Sequence, residues 1–120
     1  MSEERSTYRV NSTPANLDAF RNRPCTLLCS DPDYVPPEPE EVDALIKLSG
    51  WSQNDTAKLV GVNYNPKKGS PTVRRWRANK ASESYREIPY AAWRLMLFYA
   101  GVVTVKEDLD TLSFQAREDR

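Results

Sequence analysis

The chain has 120 residues, long enough for one small domain with a single core. Its 17 basic and 17 acidic side chains cancel, so overall charge points to no partner. With no histidine and only Cys25 and Cys29 as thiols, the usual zinc ligand sets are missing, and neither a metal centre nor a cofactor is expected.

The N-terminus, MSEERSTYRV, is polar and lacks the apolar run of a signal peptide. The longest apolar run, LMLFYAGVVTV at 95–105, is about half of what a bilayer requires. A cytoplasmic protein with no membrane partner is expected. Residues 1–37 mix turn formers with few apolar side chains and read as an extended N-terminal arm or linker. CTLLC within it has the composition of one short strand, and SDPDYVPPEPE reads as acidic chain with polyproline character.

Helical periodicity starts at residue 39. Pro39 suits a first-turn position, and Glu40, Glu41 and Asp43 favour the positive end of a helix. Val42, Leu45 and Ile46 form the apolar stripe, and Gly50 is the stop, which predicts a helix over 39–49. Ser52 and Asp55 have the spacing of a capping box, and Gly61 ends a second helix over 53–60. NYNPKKGSP is a loop. Ser70 then caps a third helix, with Pro71 at its first position, over 71–78. Val73 and Trp76 are its inward residues. A fourth helix spans 89–100, with Trp93, Leu97 and Ala100 on one side and Ala92, Met96 and Tyr99 extending it. Its apolar surface is wide enough for a central helix or a subunit interface. The tail, 105–120, forms a short strand or one more helix and is a candidate dimerisation element.

Charge is segregated along this plan. Lys67, Lys68, Arg74, Arg75, Arg77 and Lys80 fall within fourteen residues that contain no acid. Such a cluster sets up a local positive field although the whole chain is neutral. Two short helices joined through Gly61-Val62, with small Ala57 where they approach, have the sequence form of a helix-turn-helix. The fold class expected is all-α, with four to five helices in a domain over 38–104.

LSGWSQNDTAKLVGV, then TVRRWRANK, then IPYAAWRLML, resembles the XRE (Cro/repressor-like) helix-turn-helix regulators of phages and mobile elements. Within that group the sequence is most similar to the small regulators encoded beside anti-CRISPR genes, which repress their own operon. The resemblance spans about residues 40–103. NYNPKKGSP makes the turn about six residues longer than is usual in the family. The resemblance implies a homodimer on an inverted-repeat operator in double-stranded DNA. It assigns Ser70, Thr72, Arg74 and Arg75 to the base-reading part of the recognition helix. It assigns Gln53, Arg77, Asn79 and Lys80 to the DNA backbone, joined by Arg86, and the added loop brings Lys67 and Lys68 within reach of a phosphate or a neighbouring groove. Arginine suits guanine because its planar fork meets two acceptors at once.

Other readings of the same residues are a protein-binding module that reuses the scaffold, such as a CRISPR-effector inhibitor, and an architectural DNA-binding factor with little operator preference. There is no glycine-rich phosphate loop and no paired-carboxylate arrangement, so an enzyme is not expected.

Overall fold

The structure is a computed structural model that describes residues 13–119, with side chains described for residues 13–112. Two short 3-10 turns, Leu17–Phe20 and Pro24–Thr26, precede five α-helices: α1 Pro39–Ser49, α2 Gln53–Val60, α3 Pro71–Trp76, α4 Tyr90–Ala100 and α5 Val105–Asp119. Among the described residues there is no strand, only an isolated bridge between Asn65 and Gly69. The architecture is an all-α helix-turn-helix domain.

Local sequence sets the helix ends. At α1, Pro39 fills the first position and the Glu38 backbone N–H donates to Glu41 Oε1 at 2.8 Å. At α2, Ser52 Oγ accepts from the Asp55 N–H at 2.9 Å while Asp55 Oδ2 accepts from the Ser52 N–H at 3.0 Å. This reciprocal pair satisfies two of the donors that a helix start leaves open. Gly61 ends α2 with φ +81°, a left-handed conformation that favours glycine, and the Gly61 and Val62 N–H groups both return to the Ala57 carbonyl.

The core is built around α4. Trp93, Met96 and Leu97 are fully buried, and they meet Leu45, Ile46 and Val42 from α1, Ala57 from α2, and Val73 and Trp76 from α3. α4 packs on both α1 and α2, and α2 packs on α3. The broad apolar surface of α4 therefore belongs to a central helix. Tyr99, expected on its inward side, faces out and is exposed along with Leu95. Arg94, one turn into the helix, is 7% exposed and lies within the fold instead.

Residues 13–37 depart most from expectation. They are irregular, but they are packed chain rather than an extended arm. Phe20 is fully buried, with its ring centroid 6.3 Å from that of Trp93. CTLLC is a 3-10 turn followed by irregular chain, not a strand, and the carbonyls of Cys25, Thr26 and Leu27 serve as acceptors for the core. Trp93 Nε1 donates to the Cys25 carbonyl at 2.8 Å, and Arg94 Nη1 donates to the Thr26 and Leu27 carbonyls at 2.7 and 3.1 Å. Arg23 Nε reaches Glu41 Oε2 on α1 at 2.6 Å. Buried backbone carbonyls need such donors, which is why an irregular segment can cover a core at all. Burial, followed by the nearby Glu41 charge, pushes the Cys25 thiol far up and keeps it neutral. Residues 1–12 lie outside the described residues.

The tail is helical. Its first turn is fixed by Arg94, which forms a two-pronged ion pair with Asp108, Nε to Oδ2 at 2.9 Å and Nη2 to Oδ1 at 2.5 Å. Val105, Leu109 and Leu112, at four- and three-residue spacing, form an exposed apolar stripe on α5.

Candidate nucleic-acid interface

α3 is six residues long and stands on two inward anchors, Val73 and Trp76, which are 0% and 4% exposed. A helix so short has little intrinsic stability, so its orientation comes from packing and from its ends. Anchoring 73 and 76 turns the opposite face out. Pro71, Arg74, Arg75 and Ala78 share that face at three- and four-residue spacing, and with Ser84 they line a shallow cleft of about 340 Å³. Thr72 is half-buried on the flank.

The helix is two residues shorter than its sequence predicts. Arg77 is its C-cap, and its guanidinium turns back to Asp43 on α1, with Nε at 2.7 Å and Nη2 at 2.5 Å from Oδ1. The Arg86 N–H then caps the Arg75 carbonyl at 3.1 Å.

The loop between α2 and α3 is closed on itself. Asn65 and Gly69 exchange backbone hydrogen bonds at 2.8 and 2.9 Å, and Asn65 Oδ1 accepts from the Lys67 and Lys68 N–H groups. Asn54 of α2 donates to the Asn65 carbonyl at 3.1 Å, and Ser70 Oγ donates to the Asn63 carbonyl at 2.7 Å. The added length is thus a compact turn that holds Lys67 and Lys68 at an exposed tip beside α3.

The expected DNA-facing residues separate into two groups. Arg74, Arg75, Lys67 and Lys68 are exposed and have no acidic partner among the described residues. Gln53 stands at the start of α2, and its Oε1 accepts from the Ser70 N–H at 2.9 Å and from Arg74 Nη1 at 3.3 Å. The other group has structural duties. Ser70 is fully buried; its hydroxyl oxygen accepts from the Val73 N–H and its hydroxyl donates to the Asn63 carbonyl. Arg77 is held by Asp43, and Lys80 pairs with Glu38 at 3.0 Å. Asn79 caps its own turn by accepting from the Ala81 N–H, and Arg86 donates to the Glu83 and Tyr85 carbonyls. Two residues at this face escaped the sequence reading. Asn54 pins the loop, and Lys58 lies 5.5 Å from the ring centroid of Tyr64 in that loop. Their signal in the sequence was only their position on α2.

No protein-family model matches the chain. Over 69 residues it is 36% identical to the transcriptional repressor protein KorC of Escherichia coli, a match that covers 58% of this chain and 72% of that protein. The chain belongs to the KorC family of transcriptional repressors. Among the described residues, no helix is long and apolar enough to cross a membrane, and no group of three His, Cys, Asp or Glu side chains could hold a metal ion.

Asp43 ties α3 to the body of the domain through Arg77. Burial raises its pKa, but hydrogen bonds from Lys47 and Arg77 outweigh burial and hold the carboxyl below its usual range. A carboxylate whose pKa is depressed on folding contributes stability above its unfolded pKa of about 3.9, and that contribution disappears as pH falls through the folded value. Acid unfolding followed by circular dichroism should therefore show Asp43→Asn losing stability relative to the parent at neutral pH, with the two curves converging as the pH falls through the depressed folded-state value.

Proposed function

We propose that this chain is a sequence-specific repressor of the XRE type that binds double-stranded DNA as a homodimer on an inverted repeat. Its target would be the operon that encodes it, in a phage or mobile element of the kind that carries anti-CRISPR genes. The observation that carries the reading is the outward face of α3. Two arginines without acidic partners among the described residues project from a short helix anchored by Val73 and Trp76, in a chain that is similar to a transcriptional repressor. Arg74 and Arg75, flanked by Thr72, read base edges in the major groove. Lys67, Lys68 and the amide nitrogen of Gln53 take phosphates and fix the register. Ser70, Arg77 and Lys80 support the helix rather than touch DNA. Repression is steric, by occupation of the promoter.

One short helix spans only a few base pairs, so a second copy supplies the second half-site. The exposed side chains Leu95 and Tyr99 on α4 and Leu109 and Leu112 on α5 are the apolar surface we assign to the dimer.

Footprinting on the DNA upstream of the coding gene tests both parts. The expected result is symmetric protection of two half-sites about one helical turn apart, ~10 base pairs centre to centre. Leu109→Glu with Leu112→Glu should sediment as a monomer and protect DNA only at much higher concentration. Protection that is absent from this DNA, or no stronger than on scrambled sequence, would sink the proposal.

A further inference from the structure

We infer that the α2–α3 loop is a specificity element: through the Lys68 carbonyl and Gln53 it fixes the Arg74 guanidinium in one reading pose. The inference rests on the DNA-binding reading above and adds what sets the aim of one of its arginines. Arg74 Nη1 donates to the Lys68 carbonyl at 3.0 Å and to Gln53 Oε1 at 3.3 Å. Gln53 Oε1 is itself held by the Ser70 N–H at 2.9 Å. Both acceptors therefore belong to the closed loop and to the start of α2, and each is fixed by hydrogen bonds of its own. With Nη1 bound on the protein side, the Nε and Nη2 edge of Arg74 has no protein partner among the described residues. That edge has the two-pronged form that the O6 and N7 atoms of guanine accept.

Gly69 keeps this collar closed. It has φ +90°, and a Cβ at this position would press into Gln53 Oε1 and approach Arg74 Nη1 to 3.3 Å. Only glycine lets the loop backbone pass so near the amide. Arg75 has no such collar among the described residues. Its side chain is exposed and accepts its orientation from whatever it meets. The two neighbouring arginines thus differ in kind: Arg74 is oriented before binding, while the conformational freedom of Arg75 is lost on binding. Gln53 and Gly69 are positioning residues for Arg74.

The test is enrichment of bound sequences from a randomised duplex DNA pool, run with the full chain and with Arg74→Ala, Arg75→Ala, Gln53→Ala, Gln53→Glu and Gly69→Ala, all checked for folding by circular dichroism. Arg74→Ala identifies the base pair that Arg74 reads. At that base pair Gln53→Ala and Gly69→Ala should lose about fivefold or more of the preference, while the pair read by Arg75 keeps its own. Gln53→Glu retains an acceptor for Ser70 and Arg74, so it should keep the preference while binding every sequence more weakly, since a carboxylate repels phosphate. Folded Gln53→Ala with an unchanged preference at the Arg74 pair, or Gln53→Glu losing it as Gln53→Ala does, overturns the inference. A pool from which the parent chain enriches nothing overturns the DNA-binding reading itself.

Discussion

Arg94→Ala is expected to destabilise the domain by about 3–5 kcal/mol, the range found when one partner of a buried ion pair is removed. In thermal unfolding this is a midpoint lowered by more than about 10 °C for a domain of this size. The figure follows from what the guanidinium leaves behind. It is 7% exposed and donates to the Asp108 carboxylate through both of its prongs and to the carbonyls of Thr26 and Leu27. Alanine abandons a carboxylate whose side chain is only 18% exposed, together with two acceptors at the edge of the core. The stacking of Arg94 over the Phe98 ring, 5.7 Å from its centroid, goes as well. The ion pair as such says little about net stability, because burying both charges is itself costly. Removing one side alone is the expensive change. Lys106→Ala, which breaks an exposed pair with Asp110, should shift stability by no more than about 0.5 kcal/mol and serves as the control. An Arg94→Ala midpoint near that of the control would mean that water replaces the guanidinium. Because the same ion pair fixes α5, loss of Arg94 should also weaken the dimer we assign to the α4–α5 face.

Where structure follows from neighbours in sequence, it was legible. The bounds of α1 and α2 come directly from Pro39 and Gly50, and from Ser52 and Gly61, because capping is a contest between adjacent groups. The outward placement of Arg74 and Arg75 follows from the spacing of Val73 and Trp76 alone. What depends on distant partners was not legible. α3 stops early because Arg77 finds Asp43, 34 residues back, an acid that its own segment lacks. The N-terminal segment has the composition of an arm and becomes part of the fold because Trp93 and Arg94, almost 70 residues on, carry donors that its carbonyls need. No periodicity encodes such a match. The same limit divided the basic cluster. Charge density alone does not show that, of the six cations between 67 and 80, Arg77 pairs with Asp43 and Lys80 with Glu38.

That division decides which substitutions separate sequence reading from charge. Arg75→Ala should reduce the preference for operator over scrambled DNA by about 1–3 kcal/mol, or roughly five- to 150-fold, with little change in stability. Its side chain is exposed and makes no ion pair among the described residues, so its removal leaves the fold without an orphan. Lys67→Ala with Lys68→Ala should act differently. The two ammonium groups at the loop tip carry no base information, so operator and scrambled DNA should weaken alike. The slope of log affinity against log salt should shrink by about 0.9 for each phosphate that is no longer neutralised, or about 2 for the pair of lysines. Arg77→Ala tests the sorting from the other side. If Arg77 bound phosphate, its removal would flatten the salt slope and spare stability. Held instead by Asp43, it should lower the unfolding midpoint and leave the salt slope near that of the parent. Titrating the four proteins against the two DNAs at three salt concentrations distinguishes these outcomes. An Arg75→Ala protein that discriminates as well as the parent removes that arginine from the reading head, whatever the lysines do.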